Sequence, residues 1–247
     1  MPAAMRSEFR KLGTVRGPWL LLAAGPLLVL AGITGLIQSG GNVHDPATQV
    51  TAVMHVGLAA VFTLMFGILA VAGEYRHGTI TDTFLSFPGR RAVIAAKLAS
   101  YGLIGGLAGV VSSLVAVAVT AAWWAAKGGS FQWSSTPTWR ALGGGVAVSI
   151  AFALIGVGLG ALIRNLVAAV AAALAWIALV EGIAGQLVGT GLARWLPFSA
   201  SESLDRASLT AATAHLLPQW GGGVVLLGYA AAFAVAAVLT TLNRDVT

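Results

Sequence analysis

Cysteine is absent from this chain, which excludes disulfides and thiolate metal sites and says nothing about redox compartment. Charge is nearly absent as well. Only 9% of the residues are Asp, Glu, Lys or Arg, against about 25% in a soluble globular domain. The four histidines lie far apart in sequence, so a His-rich metal site is not expected. No G-x-S-x-G elbow and no H-E-x-x-H occurs. Each of the three lysines is followed by Leu12, Leu98 or Gly128, so no G-K-[ST] exists and no phosphate-binding loop of that kind is present. Strand-like alternation is missing too, which argues against a membrane β-barrel.

What remains is 57% hydrophobic with a mean hydropathy of +0.87, the composition of an all-α polytopic membrane protein. Six apolar runs stand out, roughly 19–37, 51–72, 98–124, 141–163, 166–188 and 222–242. Each is near or above the ~20 residues that cross a bilayer as a helix. Residues 1–17 precede them as a short amphipathic segment, with Met5, Phe9 and Leu12 on one stripe and Arg6, Arg10, Lys11 and Arg16 around it. It reads as an interfacial helix on an anionic cytoplasmic surface. The alternative, a basic leader before a cleaved apolar stretch, is weakened by the length of 19–37 and the lack of a small-x-small cleavage site.

The net charge of +6 is explained by topology and needs no nucleic-acid partner. Six spans place both termini on one side. That side holds Arg6, Arg10, Lys11, Arg16, Arg76, Arg90, Arg91, Lys97, Arg164 and Arg244, and the other holds Lys127, Arg140, Arg194 and Arg206. The excess orients both ends to the cytoplasm of a cell-membrane protein. Trp123, Trp124, Trp133, Trp139, Trp195 and Trp220 fall at the expected outer ends or in outer loops. The segment 189–221 is the longest exterior piece and suits a hairpin dipping into the interface. Glycine pairs at small-x-x-x-small spacing, Gly102/Gly106, Gly105/Gly109, Gly156/Gly160 and Gly185/Gly189, favour packing within one bundle over a dimer seam.

Residues 73–97 form the only long, charged internal segment, with Glu74, Arg76, Asp82, Arg90, Arg91 and Lys97 between two apolar runs. A short helix is expected over 80–85, its first amides satisfied by Asp82 and the threonines, with Pro88-Gly89 as its stop. Glu74 and His77 have E-x-x-H spacing, but no second such pair exists and Gly78 interrupts the helix, so a metal site lacks its other ligands. Glu181 is the only acid inside an expected span, with Gln186 beyond it. An ionised carboxylate there must face a cavity, pair, or be wetted at the span's end, and the sequence leaves these open. His55, near the start of the second run, reads as interfacial.

The central stretch, Glu74-Tyr75-Arg76-His77-Gly78-Thr79, then Leu85-Ser86-Phe87-Pro88, Arg90-Arg91 and Lys97, resembles the loop after the second span of ABC type-2 exporter permeases, the bacterial drug-resistance and antibiotic-export class. The resemblance extends over 1–247 as one transmembrane permease domain, through Glu181-Gly182 and Leu196-Pro197-Phe198. It implies that 73–97 is a coupling helix docking on a separate cytoplasmic ATPase. Glu74, Tyr75, Arg76, Gly78 and Thr79 would form the contact, and Arg90, Arg91 and Lys97 the return to the membrane. It further implies a second permease copy, identical or a close paralogue, and ATP and Mg on the partner, with no cofactor in this chain and no catalytic residue of its own. Glu181 and Gln186 are the candidates for a translocation path of an amphipathic, antibiotic or lipid-like compound. The competing reading is an ATP-independent carrier or membrane enzyme using Glu181 and His55, which needs no neighbouring coding region with G-x-x-x-x-G-K-[ST].

Overall fold

The computed structural model describes residues 2–87, 89–184, 190–205 and 216–243. Among these there is no strand. The helices in order are α1 (Pro2–Thr14), α2 (Gly17–Gln38), α3 (Pro46–Met54), a 3-10 turn (His55–Leu58), α4 (Ala59–Arg76), α5 (Ile80–Ser86), α6 (Arg90–Ala126), α7 (Thr136–Ile163), α8 (Leu166–Ala175) with a π-helical continuation (Trp176–Ala184), α9 (Thr190–Ala193), α10 (Pro197–Asp205) and α11 (Gln219–Asn243).

Among the described residues five stretches are long and apolar enough to cross a membrane: Gly17–Gln38, Pro46–Arg76, Arg90–Ala126, Thr136–Ile163 and Gln219–Leu239. Of the sixth run, 166–188 in the sequence, the described apolar helix is Leu166–Glu181, and its winding changes from α to π at Trp176. Two starts differ from expectation for local reasons. The second crossing begins at Pro46 because Asp45 caps it, its Oδ1 accepting from Ala47 N at 2.9 Å, with proline at the first helical position. The third begins at Arg90, so its 37 residues extend about 55 Å, well beyond a ~30 Å hydrocarbon core. Its first turns, carrying Arg90 and Arg91, therefore project from the bilayer.

The bundle is assembled on α7, which packs against α4, α6, α10 and α11. Glycine makes the tightest of these seams possible. A β-carbon on Gly156 would run into Leu64 O and the Gly67 and Ile68 backbone of α4, and one on Gly160 would meet Ile68 O. Gly102 and Gly106 of α6 lie against Leu154 and Ile150 of α7, and Gly105 and Gly109 against Ser149, Ala153 and Val146. These three small-residue pairs thus serve packing inside one chain, as the sequence favoured. The pair Gly185/Gly189 lies outside the described residues. Leu64, Ile68, Val148, Phe152, Ile155 and Leu226 fill the resulting core.

Loops gather at two opposite ends. At one end the buried Gln49 joins the α3 start to the α6–α7 connection, donating from Nε2 to Gln132 O at 3.1 Å and Thr138 Oγ1 at 3.0 Å and accepting from Gln132 N at 2.8 Å. Lys127 donates to Ile37 O at 3.3 Å at the same end. The other end holds α1, α5, the start of α6 and the α7–α8 connection.

Candidate coupling site

At that second end four helices meet through charge. The Lys97 side chain is wholly buried on α6, and its Nζ lies 2.9 Å from Glu8 Oε2, 2.8 Å from Glu74 Oε1 and 3.0 Å from Ala70 O. Lys11 Nζ, partly exposed, closes the circuit at 2.6 Å from Glu74 Oε1 and 3.2 Å from Glu8 Oε1, and donates to Thr83 Oγ1 at 3.1 Å. One carboxylate from α1, one from α4, one ammonium from α1 and one from α6 therefore neutralise each other, with Thr83 of α5 attached. Burying any one of these charges alone would be costly; buried together with their hydrogen bonds made, they are tolerated and they fix the relative positions of their helices. Burial by itself would lower the Lys11 pKa, but the hydrogen bond and charge of Glu74, with the charge of Glu8, outweigh it and hold the ammonium above its ordinary value.

Local sequence explains how the elements arrive there. Gly78 has φ +69, a left-handed conformation that resists a β-carbon, and it folds the chain from α4 into α5 within three residues. Helix α5 spans Ile80–Ser86, close to the expected 80–85, and buries Ile80 and Thr83. The expected side-chain cap is not made: neither Thr79 nor Asp82 caps the first amides, Asp82 is exposed, and Thr83 Oγ1 turns back to Thr79 O at 3.2 Å. Pro88, expected as the stop, lies outside the described residues.

The expected contact residues divide into two groups. Glu74 is turned inward, its carboxylate engaged by Lys11, Lys97 and Thr83. Lys97 lies within α6 instead of in a connecting loop. Arg76, Gly78, Thr79 and Arg91, with His77, are exposed and form an outward face beside that network. Tyr75 packs under Arg164, whose Cζ is 5.3 Å from the ring centre, and Arg90 lies over Phe84 at 5.4 Å. The α7–α8 connection carrying Arg164 thereby joins the same end, as the even-numbered crossings require. Glu8 and Lys11 were not singled out as site residues, although an acid three positions before a lysine in an otherwise basic helix is a signal of an internal ion pair. For the Glu74/His77 spacing, no group of three possible metal ligands exists among the described residues.

Glu181 is placed on the π-helical stretch, at the end of the bundle opposite α1 and α5. Its carboxylate accepts from Trp176 Nε1 at 3.1 Å, Phe198 N at 2.8 Å and Ser199 N at 3.2 Å. Phe198 and Ser199 are the second and third residues of α10, so Glu181 caps that helix across the chain, where free amides and the helix dipole favour an anion. Beneath it lies an apolar cavity of about 180 Å³ lined by Leu64, Phe152, Trp176, Phe198, Tyr229 and Phe233 among others. Gln186 lies outside the described residues. His55 is held at the helix break, its Nδ1 3.0 Å from Thr51 O, with Gly32 against its ring.

Comparison with known proteins agrees with this architecture. No curated relative matches the chain. The model of the family described as "ABC-2 family transporter protein" matches residues 30–245, from the middle of α2 past the end of α11. With nearly all of its crossings inside that match, this all-helical chain belongs to the ABC-2 transporter family and is a membrane permease of an ABC transporter.

Proposed function

We propose that the chain is the export permease of a system driven by a separate cytoplasmic ATPase, which docks on the outward face formed by Arg76, His77, Gly78, Thr79 and Arg91, with Tyr75 and Arg90 at its edge. The observation that carries the reading is the buried circuit of Glu8, Lys11, Glu74 and Lys97 directly behind that face. A partner whose shape changes with nucleotide must push on something stiff for the motion to reach the crossings. Here α5 is tied to α1, α4 and α6 at once, so a displacement of the face moves the interfacial helix and two crossings together. Glu74 in this reading is a positioning residue and not a direct contact. ATP and Mg belong to the partner, and a second copy of the permease completes the pathway. The charge asymmetry supports a cytoplasmic location for this end and for both termini in the cell membrane.

Glu181 and the cavity below it support a path element: the cavity admits an apolar group, and the carboxylate holds α10 over it. An amphipathic, antibiotic or lipid-like compound suits such a lining. The test is reconstitution with the ATPase encoded beside it. Gly78→Val and Arg76→Ala, both on the exposed face, are expected to insert and assemble, yet to lose transport and substrate-stimulated ATP hydrolysis while basal hydrolysis persists. Transport at the parent's rate in both variants would reduce the segment to an ordinary solvated loop.

A further inference from the structure

A second hollow lies away from this circuit, on the membrane side of α1. It has a volume of about 400 Å³ and is walled by Phe9 and Leu12 of α1, by Trp19, Leu22 and Pro26 of α2, and by Leu107 and neighbouring residues of α6. The wall is predominantly apolar. Its shape is set by one hydrogen bond: Trp19 Nε1 donates to Leu12 O at 2.7 Å, which fixes the angle between α1 and α2 across the break at Val15 and Arg16. Three arginines are neighbours in sequence of the residues that wall it, along α1 and at its end. Arg6 and Arg10 are one helical turn apart and flank Phe9, and Arg16 stands three residues before Trp19. All three are exposed, and among the described residues none of them forms an ion pair.

We propose that this hollow is a binding site for an anionic phospholipid of the inner leaflet, one acyl chain lying between α1, α2 and α6 and the headgroup phosphate held by Arg10 and Arg16. The proposal rests on the cytoplasmic placement of α1 in the coupling reading and goes beyond the coupling role, on which it does not depend. Three features carry it. The hollow is predominantly apolar, which suits a flexible chain. Guanidinium groups without internal partners stand at the level where α1 meets the first crossing, and they match a phosphate in charge and geometry. The α6 side chains in the wall are Ile104, Leu107 and Val111 with one small residue, Ala108, and the helix's glycines turn toward α7, so this face has no glycine pair with which a helix of a second copy would approach closely. A lipid held there would set the height of α1 against the membrane, and through Glu8 and Lys11 the position of α5.

The test uses the full chain in nanodiscs of equal phosphatidylglycerol and phosphatidylcholine, extracted mildly and weighed by native mass spectrometry. The parent is expected to retain phosphatidylglycerol in preference. The double variant Arg10→Ala, Arg16→Ala should reduce that preference roughly thirty-fold, at about a factor of five per arginine near an anionic surface, and Arg10→Lys, Arg16→Lys should keep most of it. Ala108→Trp, which fills the hollow, should abolish retention of both lipids. Intrinsic fluorescence melting verifies that each variant is folded, and a variant that is not folded is replaced by the single substitutions. Equal retention of the two lipids by the parent, or an unchanged preference in the double alanine variant, overturns the proposal in favour of unselective annular lipid. Ready disulfide formation between two copies carrying Leu107→Cys, in a chain otherwise free of cysteine, overturns it in favour of a protein seam.

Discussion

The ammonium of Lys97, with no exposed side-chain surface, lies 2.8 Å from a carboxylate oxygen of Glu74 at the C-terminal end of α4. That pair joins the start of one crossing to the end of the preceding one across the segment between them. Its energetic role follows from its burial. Removing one partner of a buried pair leaves the other charge unmet and costs about 3–5 kcal/mol, whereas a pair with one exposed member contributes about 1 kcal/mol or less. Lys97→Met should therefore lower the unfolding temperature of the detergent-solubilised protein far more than Lys11→Met. Scanning fluorimetry on the intrinsic tryptophans reads both. Equal effects would mean that the circuit is not buried as described.

Alkali should loosen α1. The Lys11 pKa is raised above its ordinary value of 10.5. A raised pKa in the folded state means that its stabilising contribution is fully present below pH 10.5 and is lost as pH climbs through the higher folded value. A spin label on the single-cysteine variant Thr14→Cys should be immobilised at neutral pH and become mobile only above pH 10.5. In Lys11→Arg the change should shift to still higher pH, since a guanidinium does not titrate there. Mobility that increases already between pH 7 and 9 would contradict the assignment.

The α4–α7 seam makes an internal comparison possible. Gly156→Ala would place its new atom against the Leu64 carbonyl and the α4 backbone, while Gly102→Ala meets only the tip of the Leu154 side chain at 3.0 Å. The first should cost about 1–3 kcal/mol or more, as overpacking does where backbone cannot move, and the second less than 1 kcal/mol. Size-exclusion profiles of the two variants, at equal expression, should show a monodisperse peak for position 102 and loss of it for position 156.

Glu181→Gln keeps the shape of the side chain and removes its charge. Hydrogen bonds to an ionised acceptor are roughly twice as strong as neutral ones, so α10 should lose about 1–2 kcal/mol of anchoring. A cysteine placed at Ser199, half-buried in the parent on the turn whose amides Glu181 holds, should react faster with an impermeant maleimide in the glutamine variant. An unchanged rate would mean that α10 is positioned by packing alone, through contacts such as the Phe152–Phe198 edge-to-face pair at 4.7 Å.

Membrane sidedness is open to the same chemistry. A cysteine at Gln132 should be labelled from outside intact cells and one at His77 should not, given the excess of basic residues at the His77 end. Labelling of position 77 would invert the arrangement.

The class of the protein was legible without coordinates, because the requirement that a crossing helix be long, apolar and free of charge is written in composition and run length. Gly78 was legible for a similar reason: one residue type tolerates a left-handed turn, and its position between two helical patterns says where the turn must be. The short α5 and the intrachain use of Gly102, Gly105, Gly156 and their partners were read in the same way, from spacing alone. What sequence could not supply is the partner of each charge. Glu74 read as a group offered outward, because its neighbours Arg76 and His77 are polar; only the packing of α1 and α6 against the end of α4 turns its carboxylate to Lys11 and Lys97, residues 63 and 23 positions away. Glu181 likewise read as the one acid inside an expected span, with cavity, pairing and wetting left open, until α10 folded back and supplied two amides 17 and 18 residues later. Burial and pairing of a charge depend on contacts distant along the chain, and those exist only once the helices have chosen their neighbours.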